Sequence, residues 1–348
     1  VWTYSVSCTN SSGTGTFSAQ TFQCVSSGSG LNKGFVQSDQ SNYLHFENGE
    51  QYIPVGENIA WQNINPYVDY KTWVAKLADN GGNFLRLWMC HWGMGIEWKQ
   101  DVAGFPGLKK YKQVSAYYID WLLDYCAEKG VYVMFCLNHH GQVSSQVNPN
   151  WSENPYNMVN GGPCQNTWDF FTNTQAKSLM KNRLRYTLAR WGYQRSVMTW
   201  ELFNEINWTD NYEQHKPEIA AWHAEMAAFL KQGDYTSRPV STSYGTPGSE
   251  DPAVWNNPDM DYSQRHYYVD NPNLEAILAA GIKENLALYD KPAHIGEFGL
   301  SAGGGDLVDH GLRARNRALQ AAHDYARVER ELAPAQRSRM EAESDRRR

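Results

Sequence analysis

The stretch VMTWELFNEIN, residues 197–207, is apolar at Val197, Met198, Trp200, Leu202 and Phe203, then stops on Asn204-Glu205. An apolar run without polar alternation is the pattern of a strand buried on both faces. A carboxylate closing such a run is costly unless it reaches water or meets a partner. Taken alone, Glu205 at a strand end that simply reaches solvent explains the pattern. A chemical role requires polar groups at other strand ends as well.

Further strand-like runs occur at YIPVG (52–56), FLRLWM (84–89), VYVMFCL (131–137), PVSTS (239–243), DYSQRHYY (261–268) and AHIGEF (293–298). Segments of helical period lie between them at 70–78, 116–128, 168–191 and 219–230. Tyr117, Trp121, Leu122, Tyr125 and Cys126 form the expected stripe of a helix covering a sheet. Only the connection between the fifth and sixth strands is too short for a full helix. Repeated strand–helix units predict an α/β fold with buried parallel sheet, and a (β/α)8 TIM barrel rather than an open doubly wound sheet. No Gly-x-Gly-x-x-Gly follows the first strand, which counts against a dinucleotide fold.

The chain has 348 residues, enough for one large barrel, and a formal charge of -6 that favours neither nucleic acid nor an anionic membrane as partner. It contains no apolar run of about 20 residues, so no membrane span is expected. It opens on Val1-Trp2 without a basic, apolar leader, so a secretory signal has been removed or lies outside this sequence. The 14 Trp and 21 Tyr supply core, and also the flat surfaces on which sugar rings stack. Cys8 and Cys24 lie in a Ser/Thr/Gly-rich stretch of extracellular character and could close a disulfide loop. Cys90 and Cys136 sit in apolar runs and read as buried thiols. No Cys-x-x-Cys or His/Cys ligand spacing occurs, so neither a metal nor another cofactor is expected.

Three segments are expected. Residues 1–35 read as the remnant of a β-sandwich or a β lead-in, and 36–305 as the barrel, entered through a hairpin at Asn48-Gly49. Residues 306–348 read as an atypical charged tail, helical or disordered. Up to residue 305 the chain carries 14 Lys and 7 Arg; beyond it come 10 Arg, no Lys and no Trp. No eighth apolar strand is found there, so the barrel is expected to be incomplete at strand eight, and a frame change, fusion or truncation is suspected.

In a barrel of this kind, function sits at the C-terminal strand ends. Strand two carries Arg86, strand three ends on His139-His140, strand six holds His266 and Tyr268, and strand seven holds Glu297 in HIGEFG. Two glutamates on strand ends four and seven suit glycoside hydrolysis, in which one carboxyl protonates the leaving oxygen and the other attacks the anomeric carbon. A separation of roughly 5–5.5 Å gives retention.

WELFNEIN and HIGEFG resemble the strand-four and strand-seven motifs of the clan that includes glycoside hydrolase family 5. The resemblance is greatest to cellulase-type enzymes that follow an N-terminal β-sandwich, and it extends over residues 30–304 through FLRLWMCHWGMGIEW, CLNHHGQ, NPYNMVNGGPC, RLRYTLARWGY and RHYY. It implies Glu205 as acid/base, Glu297 as nucleophile and Asn204 as partner of the sugar 2-hydroxyl. It also implies that Tyr268 orients Glu297, that Arg86 keeps it ionised, and that His140 and His266 contact sugar hydroxyls or the acid/base. Gly141-Gln142 follow His140 as in the family, so His140 is preferred to His139. Trp92 and Trp98 are expected as stacking platforms. His91 and His215 read as surface or packing residues. The clan's strand-eight Trp, the floor of the subsite beside the scissile bond, has no counterpart after Trp255. The expected protein is thus an extracellular or periplasmic retaining β-glycosidase, cellulase- or mannanase-like and monomeric, acting on a polysaccharide or oligosaccharide. The alternative is an impaired carbohydrate-binding relic of one.

Overall fold

The structure is a computed structural model that describes residues 1–24, 33–38 and 42–299. The chain divides into two compact units, Val1–Lys33 and one beginning at Gly34. The first is a hairpin of β1 (Trp2–Asn10) antiparallel to β2 (Gly13–Phe22). Its register sets Cys8 opposite Gly15 near the turn, whereas Cys24 follows the Phe22–Trp2 pair at the open end. About 20 Å of strand, at ~3.4 Å per residue, separates those ends. A bridge spans far less. The expected Cys8–Cys24 disulfide is therefore not formed, and both thiols are free.

The second unit starts with an antiparallel sheet of β3 (Val36–Ser38), β4 (Leu44–Phe46) and β5 (Gln51–Tyr52). The Asn48-Gly49 turn joins β4 to β5, with Gly49 at φ +86°, a conformation glycine adopts without steric cost. Residues 52–56, expected as the first barrel strand, are divided. Tyr52 closes β5 against Leu44, and the parallel strand β6 (Gly56–Asn58) begins only afterwards. Pro54 lies between and has no N–H to give to a ladder. Gly56 lies so close to β7 (Phe84–Trp88) that a Cβ there would collide with the Phe84 carbonyl.

Around β7 the chain alternates. Helix α1 (Pro66–Asp79) precedes it, and α2 (Gln113–Lys129) and β8 (Tyr132–Cys136) follow. Next come α3 (Asp169–Thr172), α4 (Thr174–Trp191), β9 (Val197–Glu201), α5 (Lys216–Gly233) and β10 (Val240–Ser241). The short α6 (Pro252–Trp255), β11 (Ser263–Tyr268), α7 (Leu274–Tyr289) and β12 (Ala293–Gly299) complete the described elements. The 168–191 helix is two pieces, because Asn173 is extended and caps α4 through the Gln175 and Ala176 amides. The stripe expected on α2 is rotated. Ser115, Ala116, Ile119, Leu122, Leu123 and Cys126 are buried, while Tyr117 is 66% exposed. Small residues at 115 and 116 let the helix approach the sheet, and the bulky Tyr117 faces away.

Strands β6 to β10 form one parallel sheet in sequence order, and β11 pairs in parallel with β12. The Tyr244–Arg265 bridge connects the two. Across the remaining gap Asn58 Nδ2 donates to the Gly296 carbonyl at 3.0 Å, so the first and last described parallel strands meet through a side chain. The eighth strand expected to be missing, and the 306–348 tail, lie outside the described residues.

Alternation along the strands sorts side chains to two faces. Leu85, Leu87, Val133 and Phe135 join the large core that includes the α2 face. Phe84, Met134 and Met198 instead pack with Val36, Leu44, Phe46, Tyr52 and Tyr262. The small antiparallel sheet therefore plugs the end of the parallel sheet where its strands begin, and leaves the other end for polar side chains. No helix among the described residues is long and apolar enough to cross a membrane. Truncating the plug at Phe46, which is 3% exposed, should cost about 3–5 kcal/mol, read as a lowered urea midpoint of Phe46→Ala.

Candidate active site

Arg86, in the middle of β7, has no solvent exposure. A buried guanidinium must be paired. Its Nε and Nη2 grip Glu201 in bidentate fashion at 2.7 Å each. Nη2 also donates to Asn204 Oδ1 at 2.7 Å, and Nη1 to Asn58 Oδ1 at 3.2 Å and to Glu297 Oε1. Gln264 Nε2 adds a 2.9 Å bond to Glu201. Burial works against the Arg86 charge, but the two carboxylates outweigh it and hold its pKa well above the ordinary value.

Glu205 owes its place to local backbone geometry. The Asn204 amide donates to the Asn138 carbonyl at 2.9 Å, and the Asn204 carbonyl accepts from the His140 amide at 3.1 Å. Glu205 itself is left-handed, φ +51° and ψ +53°. For a residue other than glycine this costs about 1–3 kcal/mol and persists only where the surroundings enforce it. Here Ser243 Oγ accepts from the Glu205 amide at 3.0 Å, and the Ser243 carbonyl from the Ile206 amide at 3.1 Å. The carboxylate then meets His266 Nδ1 at 2.9 Å and His140 Nδ1 at 3.5 Å.

Glu297, on β12, accepts from Arg86 at Oε1 and from the Tyr268 hydroxyl at Oε2, 2.6 Å away. Burial pushes its pKa up, yet His266, Arg86 and the Tyr268 hydrogen bond prevail and hold it at about 2. Oxygens of Glu205 and Glu297 and a nitrogen of His266 all lie within 4.8 Å of one another. That spacing could also hold a metal ion. His266 Nδ1 is engaged with Glu205, and Glu297 Oε1 with Arg86.

His139 and His140 face different neighbours. His140 lies between Glu205, Asn204 Nδ2 at 3.4 Å and Asn148 Oδ1 at 3.0 Å. His139 stacks on Trp88 with centroids 5.6 Å apart, and burial, with the charges of His140 and His91, drives its pKa well below the usual value. Trp92 is 39% exposed and edges Trp61 and His139, leaving surface free. Trp98 does not fit the expected platform role. It is 2% exposed and stacked on His91 at 4.4 Å, so no sugar can reach its face. His215 stacks on Trp168.

Sequence reasoning passed over several contributors. Glu201, inside WELFNEIN, is the other anchor of Arg86, and Asn58 is a further one. A cavity of about 450 Å³ beside Glu297 and Tyr268 is walled by Trp61, Trp73 and Trp88. Trp88 ends β7 and Trp61 follows β6, so position at a strand end was the signal available for both.

Removing one partner of a buried pair leaves the other charge stranded. Glu201→Ala should therefore lose about 3–5 kcal/mol in chemical denaturation. Glu297 gives a pH test. Its folded pKa of about 2 lies below the ordinary 4.5, so its contribution to stability is complete above pH 4.5 and disappears as the pH falls towards 2. The stability advantage of wild type over Glu297→Gln should shrink across that window.

No family model matches the chain, and no curated protein matches it in sequence. Solved structures do. The family 5 glycoside hydrolase mannosidase from Rhizomucor miehei aligns with a TM-score of 0.56 at 18% identity, over 77% of this chain and 73% of its own. The hyperthermostable endo-1,4-β-D-mannanase from Thermotoga petrophila RKU-1 aligns at 0.57 and 16% identity, over 78% and 86%. An exo-β-1,4-mannosidase from Opitutaceae bacterium strain TAV5 aligns at 0.59 and 17%, over 82% and 53%. What these proteins share with the chain at such identities is architecture, and the chain has the fold of the family 5 glycoside hydrolases.

Proposed function

We propose that the protein is a retaining glycoside hydrolase acting on β-linked glycans through Glu205 and Glu297. The observation that carries this reading is the approach of the two carboxylates to within 4.8 Å, with His266 shared between them. Such closeness favours the retaining arrangement, with carboxyls about 5–5.5 Å apart, over the inverting one at about 6.5–9.5 Å.

In the first step a Glu297 oxygen attacks the anomeric carbon while the glycosidic bond breaks, and Glu205 gives its proton to the departing oxygen. In the second step Glu205 takes a proton from water, the water oxygen bonds to the anomeric carbon, and Glu297 leaves as carboxylate. The low pKa of Glu297 suits a group that must attack ionised. Arg86 and Tyr268 hold it in place. Asn204 has its Oδ1 engaged by Arg86, so it would meet a sugar hydroxyl through Nδ2, which also approaches His140 Nδ1. His140 and His266 touch the Glu205 carboxylate and would orient it towards the leaving oxygen. Trp92 supplies a platform.

The structures that share the fold include mannosidases and mannanases of both exo and endo type, so β-1,4-mannosides are the first substrates to assay. A second reading is a carbohydrate-binding protein without turnover, in which the exposed Trp92 and the tryptophan-walled cavity hold a sugar. Sugar binding without hydrolysis by the intact chain would select it. For the hydrolase, Glu297→Ala should lose activity by several orders of magnitude and regain part of it with azide. The anion enters the vacated space and yields a glycosyl azide of inverted configuration, readable by NMR. A product of retained configuration would reassign the nucleophile.

A further inference from the structure

We propose that Trp208 is the platform for the leaving-group sugar and that Gly245 keeps its place open; this rests on the reading of Glu205 as acid/base. The site has two aromatic sides. Trp61, Trp73 and Trp88 wall the cavity beside Glu297 and Tyr268. On the Glu205 side stands a different ring. The left-handed turn at Glu205 starts a 3-10 turn, Ile206–Trp208, in which the Trp208 amide donates to the Glu205 carbonyl at 2.9 Å. The turn folds the indole back beside the carboxylate from which it descends.

Gly245 measures how closely they converge. A Cβ at that position would lie 2.3 Å from Trp208 Nε1 and 2.8 Å from Glu205 Oε1. Any side chain at 245 would displace the indole, the carboxylate or both. The Gly245 amide donates to Asn207 Oδ1 at 2.8 Å, which ties this backbone to the same turn. Trp208 is 40% exposed and, among the described residues, pairs with no other aromatic ring. An indole open to solvent beside a catalytic acid is poorly explained by packing. The departing oxygen receives its proton from Glu205, so the sugar carrying that oxygen must lie next to this ring. The indole offers it a flat apolar face and an N–H donor.

The test separates the leaving group from the rest of the reaction. Wild type and Trp208→Ala are compared on a β-1,4-mannan oligosaccharide and on a β-mannosyl fluoride, whose leaving fluoride needs no platform. The ratio of kcat/KM for the oligosaccharide to that for the fluoride should fall about tenfold, a typical loss for an aromatic stacking surface. Trp208→Phe should restore most of the ratio, and Gly245→Ala should lower it. Equal-fold losses on both substrates, which leave the ratio unchanged, or no loss on either would remove Trp208 from leaving-group binding. A fall in the ratio accompanied by a displaced basic limb of the oligosaccharide pH profile would mean that Trp208 acts only through Glu205. Each of these results overturns the proposal. If wild type hydrolyses neither substrate, the hydrolase reading fails by itself. Calorimetric binding of the oligosaccharide to Glu297→Gln, with and without Trp208→Ala, then decides only whether Trp208 binds sugar: weakening keeps it as a sugar platform without a leaving group, and equal affinity overturns that too.

Discussion

The guanidinium of Arg86 is the point on which the interior depends. A fully buried cation is tolerable only when its charge and its donors are matched, and here the partners arrive from three other strands or their ends. Glu201 takes two donors, while Asn58, Asn204 and Glu297 take the rest. Because the two glutamates share one cation, Arg86 holds both carboxylates in a single arrangement. The same arrangement that satisfies Arg86 therefore fixes the orientation of Glu297 and keeps it ionised.

The inside of the parallel sheet is layered along the strands. Phe84, Met134, Met198 and Tyr262 meet the antiparallel plug and exclude water from one end. Arg86, Glu201 and Gln264 form the charged middle. Above them lie Asn204, Glu205, His266, Tyr268 and Glu297, each near or just beyond a strand end. The apolar layer lowers the local dielectric beneath the charged one, which strengthens every contact to Arg86 and raises the cost of leaving any of them unmade.

The loops beyond the strands are held by buried or bidentate polar contacts. Asp210 accepts from Ser144 and twice from Ser145, joining the loop after Glu205 to the one after His140. Asn148 bonds His140, and Gly141 lets the chain at Asn148 approach closely, since a Cβ there would lie 2.3 Å from the Asn148 carbonyl. Glu97 is buried with Arg183 and Tyr156, and Arg183 also reaches Asn138, the acceptor of the Asn204 amide. Pre-organised groups of this kind need little rearrangement when charge develops on a substrate.

What the sequence determined by itself was the periodic and the local. Near-continuous apolar runs made the parallel strands legible, because a strand covered on both faces has no polar side to show. Polar residues at the ends of those runs singled out Glu205, Glu297, His266 and Tyr268 as candidates, since such groups there need water or a partner. The tertiary structure decided whatever depended on a distant neighbour. Arg86 meets Glu201 and Glu297 across separations of 115 and 211 residues, so the sharing of its charge had no local signature. Trp98 and Trp208 look alike as letters, yet His91 covers the first and, among the described residues, no ring covers the second. Pro54 moved the first parallel strand to Gly56, and the small residues of α2 turned its buried face by one position, because close approach between elements is settled by the volumes that meet.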